Sequence, residues 1–133
     1  MILLGGSEDM QRAKIIADAI GQNIGNPVGM LNLEQSASII KMSKGVLTSD
    51  TGMMHIAAAF NKPMVSVWGN TVPEFGMYQY YPKNSTLPLN IMEVKGLKCR
   101  PCSKLGYKKC PKGHFKCMMN IATDQVVAKL RKE

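Results

Sequence analysis

The chain has 133 residues, 45% hydrophobic and 20% charged, the make-up of one globular domain with a core of its own, which excludes wholesale disorder. No apolar run approaches the roughly 18 residues of a membrane span, and the N-terminus lacks a basic-then-apolar leader, so a soluble cytoplasmic protein is expected. The formal net charge of +8 is concentrated, because eight residues from Lys95 to Cys117 are Lys or Arg, none is Asp or Glu, and the remainder is balanced. An anionic partner is therefore a matter for one local segment, the one that also holds all four cysteines.

In chain order, Ile2 to Leu4 reads as a short buried strand ending in a Gly pair. Ser7 is placed to cap a helix running to Ile20, with Glu8 and Asp9 near its positive end, an apolar face of Ala13, Ile16, Ala17 and Ile20, and Gly21 as the stop. Val28 to Leu31 reads as a short extended piece. Asn32 and Gln35 stand in capping-box places at the head of a second helix, which carries Leu33, Ala37, Ile40 and Lys41 and ends near Lys44 and Gly45. A buried strand Val46 to Thr48, a turn Asp50-Thr51-Gly52, a helix Met53 to Phe60 and a buried strand Met64 to Trp68 follow. Strands and helices alternating over short links predict an α/β fold, a Rossmann-like parallel sheet with flanking helices. Beyond Gly69 come a long Gly/Pro/Tyr-rich loop, an edge strand within Thr86 to Val94 limited by Pro88, a Cys/Lys-rich insert over 95–118, and an amphipathic helix over 122–133 capped by Thr123 or Asp124.

In an open parallel sheet, ligands bind beyond the carboxyl ends of the strands, where helix N-termini point free amides. Thr51 and Gly52 would present backbone N–H groups there, and Gly52 has no Cβ to hold a phosphate away. Asp50 would repel a phosphate, so it suits the hydroxyls of a sugar attached to one. The plainer alternative is that Asp50 or Thr51 only caps the helix. His55, one turn along, is by residue type more often structural than catalytic.

The run "SDTGMMHIAAAFNKPMVSVWGNTVP" resembles the signature of glycosyltransferase family nine, the ADP-heptose:lipopolysaccharide heptosyltransferases. Asp50, Thr51, Gly52, His55, Ala57, Ala58, Pro63, Gly69, Thr71 and Pro73 carry the resemblance, and "LLGGSED", "LNLEQSASIIKMSKGVLTSD" and the late "CRPC…CP…CM" extend it. It implies the C-terminal, donor-binding half of a GT-B fold, incomplete over 1–133, in an inverting heptosyltransferase-like enzyme. By resemblance Thr51 and Gly52 meet the donor diphosphate, Asp50 the sugar, and Leu31 with Met30 the adenine. Glu8 or Asp9 takes the ribose, and His55 lies near the phosphates. The family's acceptor site and catalytic base belong to an N-terminal domain with no counterpart here, so no residue is assigned as base. The matched stretch is expected to bind donor weakly and to transfer nothing alone. The partners implied are an ADP-heptose-like nucleotide-sugar, a lipopolysaccharide-type acceptor and the inner face of the cytoplasmic membrane, with no specific nucleic acid and no required cofactor.

Cys99, Cys102, Cys110 and Cys117 form C-x2-C-x7-C-x6-C, which suits a structural zinc or four reduced thiols. The surrounding basic residues read as a surface for phosphates or as a solvated face. The tyrosines of "MYQYYP" suit contact with a sugar ring or packing of their loop. Two other functions fit the residues: an inactive nucleotide-binding adaptor, and a nucleic-acid-binding module built on the cysteine knuckle, for which only Tyr107 and Phe115 offer stacking rings.

Overall fold

Three short strands lie parallel in the order β1-β2-β3, in a computed structural model that describes residues 1–131; the last two positions of the expected C-terminal helix lie outside them. The chain divides into two units, one of residues Met1–Ile39 and one from Ile40 onward, taken here in turn.

In the first unit the expected strand at Ile2 is reduced to a single parallel bridge to Gly25, with Leu3 N–H donating to the Gly25 carbonyl at 2.9 Å. Ser7 does not cap a helix. Ser7–Asp9 is itself a 3-10 turn behind an extended Gly6, with no side-chain cap bond, and it leads into α1 (Met10–Ile20). Gly21, at φ +79°, ends α1 as expected. Of the expected apolar face only Ala13 is buried; Ile16 and Ile20 are each 46% exposed. Val28 to Leu31 is not extended either, because Pro27 to Met30 closes as a β-turn with Gly29 at φ +77°, a conformation nearly closed to residues with a Cβ. That turn is drawn to the acidic one by the Gly29 N–H bond to the Gly5 carbonyl, 3.1 Å, and a Cβ on Gly29 would strike Met10 at 2.8 Å. The capping box forms as read: Asn32 N–H donates to Gln35 Oε1 at 2.9 Å and Gln35 N–H to Asn32 Oδ1 at 2.8 Å, opening α2 (Leu33–Met42).

The second unit holds the sheet. β2 (Met64–Trp68) is central, and its Met64, Val65, Ser66 and Trp68 are all buried, as a strand covered on both faces must be. β1 (Val46–Ser49) is an edge, and its expected burial fails: Leu47 is 54% exposed, because no further strand pairs beside it among the described residues. β3 (Asn90–Glu93) is the opposite edge, starting two residues after Pro88. Met54, Ala57 and Ala58 of α3 (Gly52–Ala59) are buried, and α5 (Thr123–Arg131) sets Val126 and Leu130 against Val65 and Met92, joined by Ile121 just ahead of the helix. Between them α4 (Lys116–Met119) is a single turn. Register aligns Ser49 with Val67 and Trp68 with Glu93, so Asp50, Gly69 and Val94 all emerge at one end of the sheet.

That end is closed by Arg100, a side chain only 6% exposed. Its Nη1 lies 2.7 Å from Glu93 Oε2, its Nε donates to the Gly69 carbonyl at 2.6 Å, its Nη2 to Thr71 O at 2.9 Å and its Nη1 to Val94 O at 3.4 Å. The sequence places Arg100 in a basic surface patch; the structure makes it an internal strut. Removing one partner of a buried charge pair typically costs about 3–5 kcal/mol. Arg100→Met is therefore expected to lower unfolding free energy by about that much in urea titrations, and Arg100→Lys to recover little, because an ammonium lacks the planar fork. Asn32→Ala, which breaks the exposed capping box, is expected to cost about 1 kcal/mol by the same measurement.

Candidate functional site

The Asp50-Thr51-Gly52 turn sits where β1 hands over to α3, at the carboxyl end of the sheet, as its sequence position requires. Thr51 is extended, with φ −146° and ψ 167°, and forms no side-chain cap bond. Its hydroxyl lies 3.3 Å from that of Thr48. Asp50 does not cap the helix either. Its Oδ2 accepts a hydrogen bond from Thr71 Oγ1 at 3.1 Å across the ends of β1 and β2. The plain capping explanation of this turn is thus not what the structure shows, and the first amides of α3 lack intrahelical partners. Gly52 is exposed, and a Cβ built on it meets no atom within 4 Å, so the approach to those amides is open. His55 is exposed, one turn into α3.

Thr71 is the functional residue that the residue-by-residue reading left without a role. Its signal was the Gly-x-Thr-x-Pro pattern of Gly69 to Pro73, which carries family likeness but no chemistry until Asp50 is placed beside it. Thr71 is held in turn: its carbonyl is bound by Arg100, and the neighbouring Asn70 accepts the Cys102 N–H at 2.9 Å and donates through Nδ2 to the Tyr107 carbonyl at 2.7 Å. The cysteine segment therefore folds back onto the loop that orients Asp50.

A cleft of about 200 Å³ opens between them, lined by Ser49, Asp50, Val67, Gly69, Asn70 and Thr71 and, from the cysteine segment, by Leu105, Phe115 and Met118. A second, shallower cleft of about 340 Å³ lies among Pro73, Glu74, Tyr78, Leu89, Ile91, Glu93 and Lys95. Tyr78 reaches it and Tyr80 is exposed, while Gln79 is fully buried on Ser66, at 2.9 Å, and Tyr81 Oη donates to the Lys62 carbonyl at 3.1 Å.

In the first unit, Glu8 and Asp9 occupy the 3-10 turn; a Cβ on Gly6 would meet the Glu8 carboxylate at 2.3 Å and one on Gly5 the Asp9 carboxylate at 3.0 Å. Met30 is 76% exposed and Leu31 half-buried, just past the turn bound to Gly5. The acidic turn and the apolar pair are thus neighbours within this unit, whereas Asp50, Thr51, Gly52 and His55 belong to the other.

The four cysteines are free thiols, with Cys117 buried, and among the described residues no three His, Cys, Asp or Glu side chains are grouped so as to hold a metal ion. The Arg100 strut and the turn Cys110 to Phe115 order the segment. There the Phe115 N–H donates to Cys110 Sγ at 3.3 Å, and together with the amides of Lys112, His114 and Gly113 it draws the Cys110 thiol below its ordinary pKa. Burial pushes Cys102 and Cys117 up, and the nearby thiols add to it. Because the thiolate is the nucleophile, Cys110 is expected to be alkylated first as pH rises from acid toward neutral. Peptide mapping after a short iodoacetamide pulse checks this, and prior labelling of Cys102 or Cys117 would contradict the amide cradle.

Residues 1–109 match the family model for glycosyltransferase family 9 (heptosyltransferase). The chain is 29% identical, over 96% of its length, to lipooligosaccharide heptosyltransferase 2 of Haemophilus influenzae, and 32% identical, over 56% of its length, to lipopolysaccharide heptosyltransferase 2 of Escherichia coli. It spans 36% of the first and 23% of the second, about a third or less of those relatives. In fold it matches the structure of the E. coli ADP-heptose lps heptosyltransferase II with a TM-score of 0.71 at 23% identity, covering 98% of this chain and 35% of that one. A family 9 glycosyl transferase from Veillonella parvula gives the same TM-score at 17% identity. With most of its length matched by the family model, the chain belongs to glycosyltransferase family 9, the heptosyltransferases.

Proposed function

We propose that this chain supplies the donor-binding part of a GT-B glycosyltransferase that moves a heptose from an ADP-sugar to a lipopolysaccharide-type acceptor at the inner face of the cytoplasmic membrane. The observation that carries the reading is the turn Asp50-Thr51-Gly52: a carboxylate bound to Thr71 rather than to the helix, beside an uncapped and open helix N-terminus. The relatives, heptosyltransferases of lipooligosaccharide and lipopolysaccharide, support the same substrate class.

In this reading Asp50 accepts hydrogen bonds from sugar hydroxyls, and the Thr51 and Gly52 amides receive the diphosphate. As the glycosidic bond to the diphosphate breaks, negative charge grows on the leaving oxygen, and fixed N–H donors with the positive helix end stabilise it. Glu8 or Asp9 takes the ribose hydroxyls, Met30 and Leu31 the adenine face, and His55 the phosphates. No residue of the chain is assigned as the base that deprotonates the acceptor.

Magnitudes set the scale of the test. An exposed helix end contributes about 0.3–1 kcal/mol, and hydrogen bonds to a charged group about 1.5–3 kcal/mol each. Two such bonds place a diphosphate near millimolar affinity, about −4 kcal/mol. Titration of ADP into the isotopically labelled chain is expected to move the amide resonances of Thr51 and Gly52 at roughly millimolar nucleotide. A Cβ at position 52 meets no protein atom within 4 Å, so Gly52→Val is expected to fill the open approach and abolish those shifts while leaving the remaining spectrum intact. Nucleotide shifts absent from the Thr51-Gly52 turn, or unchanged in Gly52→Val, would sink the reading.

A further inference from the structure

The cleft beside Asp50 has two unlike walls. Asp50, Asn70 and Thr71 make one polar, and Leu105, Phe115 and Met118 of the cysteine segment make the other apolar. A sugar ring has the same division, with hydroxyls around its edge and a C–H face that excludes water poorly unless covered by apolar side chains. Building on the donor-site reading, we infer that the cysteine segment is the sugar-recognition wall of this site, with Phe115 and Leu105 covering the C–H face of a pyranose whose hydroxyls are held by Asp50.

Three independent features show the wall to be built rather than incidental. It is pinned to the opposite wall through Arg100, Cys102 and Tyr107, each bonded to the Gly69–Thr71 stretch at 2.6–2.9 Å. Two glycines permit the close fit: a Cβ on Gly106 would strike Asn70 Oδ1 at 2.6 Å, and one on Gly69 would strike Met118 Sδ at 2.8 Å. The third is Phe115 itself, at φ +46° and ψ +30°, a left-handed conformation unfavourable for a bulky residue. Strain of this kind persists where the surroundings over-determine it, and it concentrates at ligand contacts. Here the Cys110 thiol accepts the Phe115 N–H at 3.3 Å, and the Phe115 carbonyl accepts the N–H of Met118 and of Met119, both at 3.0 Å. The ring stands 40% exposed at the cleft, and Leu105, 84% exposed, lines the same cleft.

The test compares affinity for ADP with affinity for ADP-heptose by calorimetry or NMR titration of the same chain. The unsubstituted protein is expected to prefer ADP-heptose. Leu105→Ala and Phe115→Gly are expected to bring the two affinities within about twofold of each other, each 1.4 kcal/mol being a factor of ten, while leaving ADP affinity unchanged. Phe115→Gly relieves the left-handed strain, which offsets part of the lost ring packing, and its unchanged ADP affinity is the check that the fold is retained. Phe115→Tyr keeps the ring and is expected to keep the preference. A preference for ADP-heptose that survives both Leu105→Ala and Phe115→Gly overturns the sugar wall but leaves the donor site standing. Absence of any nucleotide binding overturns the donor-site reading and this inference with it.

Discussion

A parallel sheet leaves the backbone beyond its carboxyl ends without ladder partners, and in this chain those ends must also present a site. Arg100 meets both demands. Removing a guanidinium from water costs several kcal/mol, and that cost is offset only where its donors are all placed; here they reach the Glu93 carboxylate and the carbonyls of Gly69, Thr71 and Val94. An apolar pair of similar volume can match the net stability, since buried ion pairs often gain little over well-packed hydrocarbons. It would leave three carbonyls unsatisfied, however, and the loop that carries Thr71 without a fixed position. The strut thus determines geometry more than free energy. Through Thr71 it determines where the Asp50 carboxylate points.

The same economy of fixed polar groups runs through the buried strand. Ser66 lies inside β2, where an apolar residue would be ordinary, yet its hydroxyl accepts the Trp68 Nε1–H at 3.0 Å and meets Gln79 Oε1 at 2.9 Å. This chain of bonds brings the tyrosine-rich loop down onto the sheet, leaving Tyr78 at a cleft and Tyr80 exposed. Loop and cysteine segment are both long irregular stretches. Both are tied to the sheet by a buried polar side chain, Gln79 in the loop and Arg100 in the cysteine segment.

Charge in the cysteine segment divides by the same logic. Arg100 disappears into the strut, whereas Lys98, Lys104, Lys108, Lys109, Lys112 and Lys116 remain exposed. A compositional patch is therefore two things: one internal cation with assigned partners, and a solvated fringe beside a site expected to receive diphosphate. At physiological salt each exposed lysine acts over about 8 Å, a range that attracts an anionic ligand without fixing its pose.

Local pattern was enough to reveal the alternation of strand and helix, the Asn32-Gln35 capping box, the Gly21 stop, the buried β2 and the Asp50-Thr51-Gly52 turn at the head of α3. Each depends on residues within a few positions of one another, where propensity, periodicity and backbone geometry act directly. It misjudged the extended reading of Val28 to Leu31, since a Pro-x-Gly turn outweighed the apolar run, and the burial of β1, because edge position is a property of the sheet and not of the strand. Asp50 was legible as a candidate, but its orientation was not: Thr71 is 21 positions away and Arg100 lies 29 beyond that. Burial, partner and direction of a charged side chain are set by long-range closure of the chain. The sequence by itself therefore named the turn, and only the tertiary structure decided what holds it, what faces it across the cleft, and that Arg100 belongs inside.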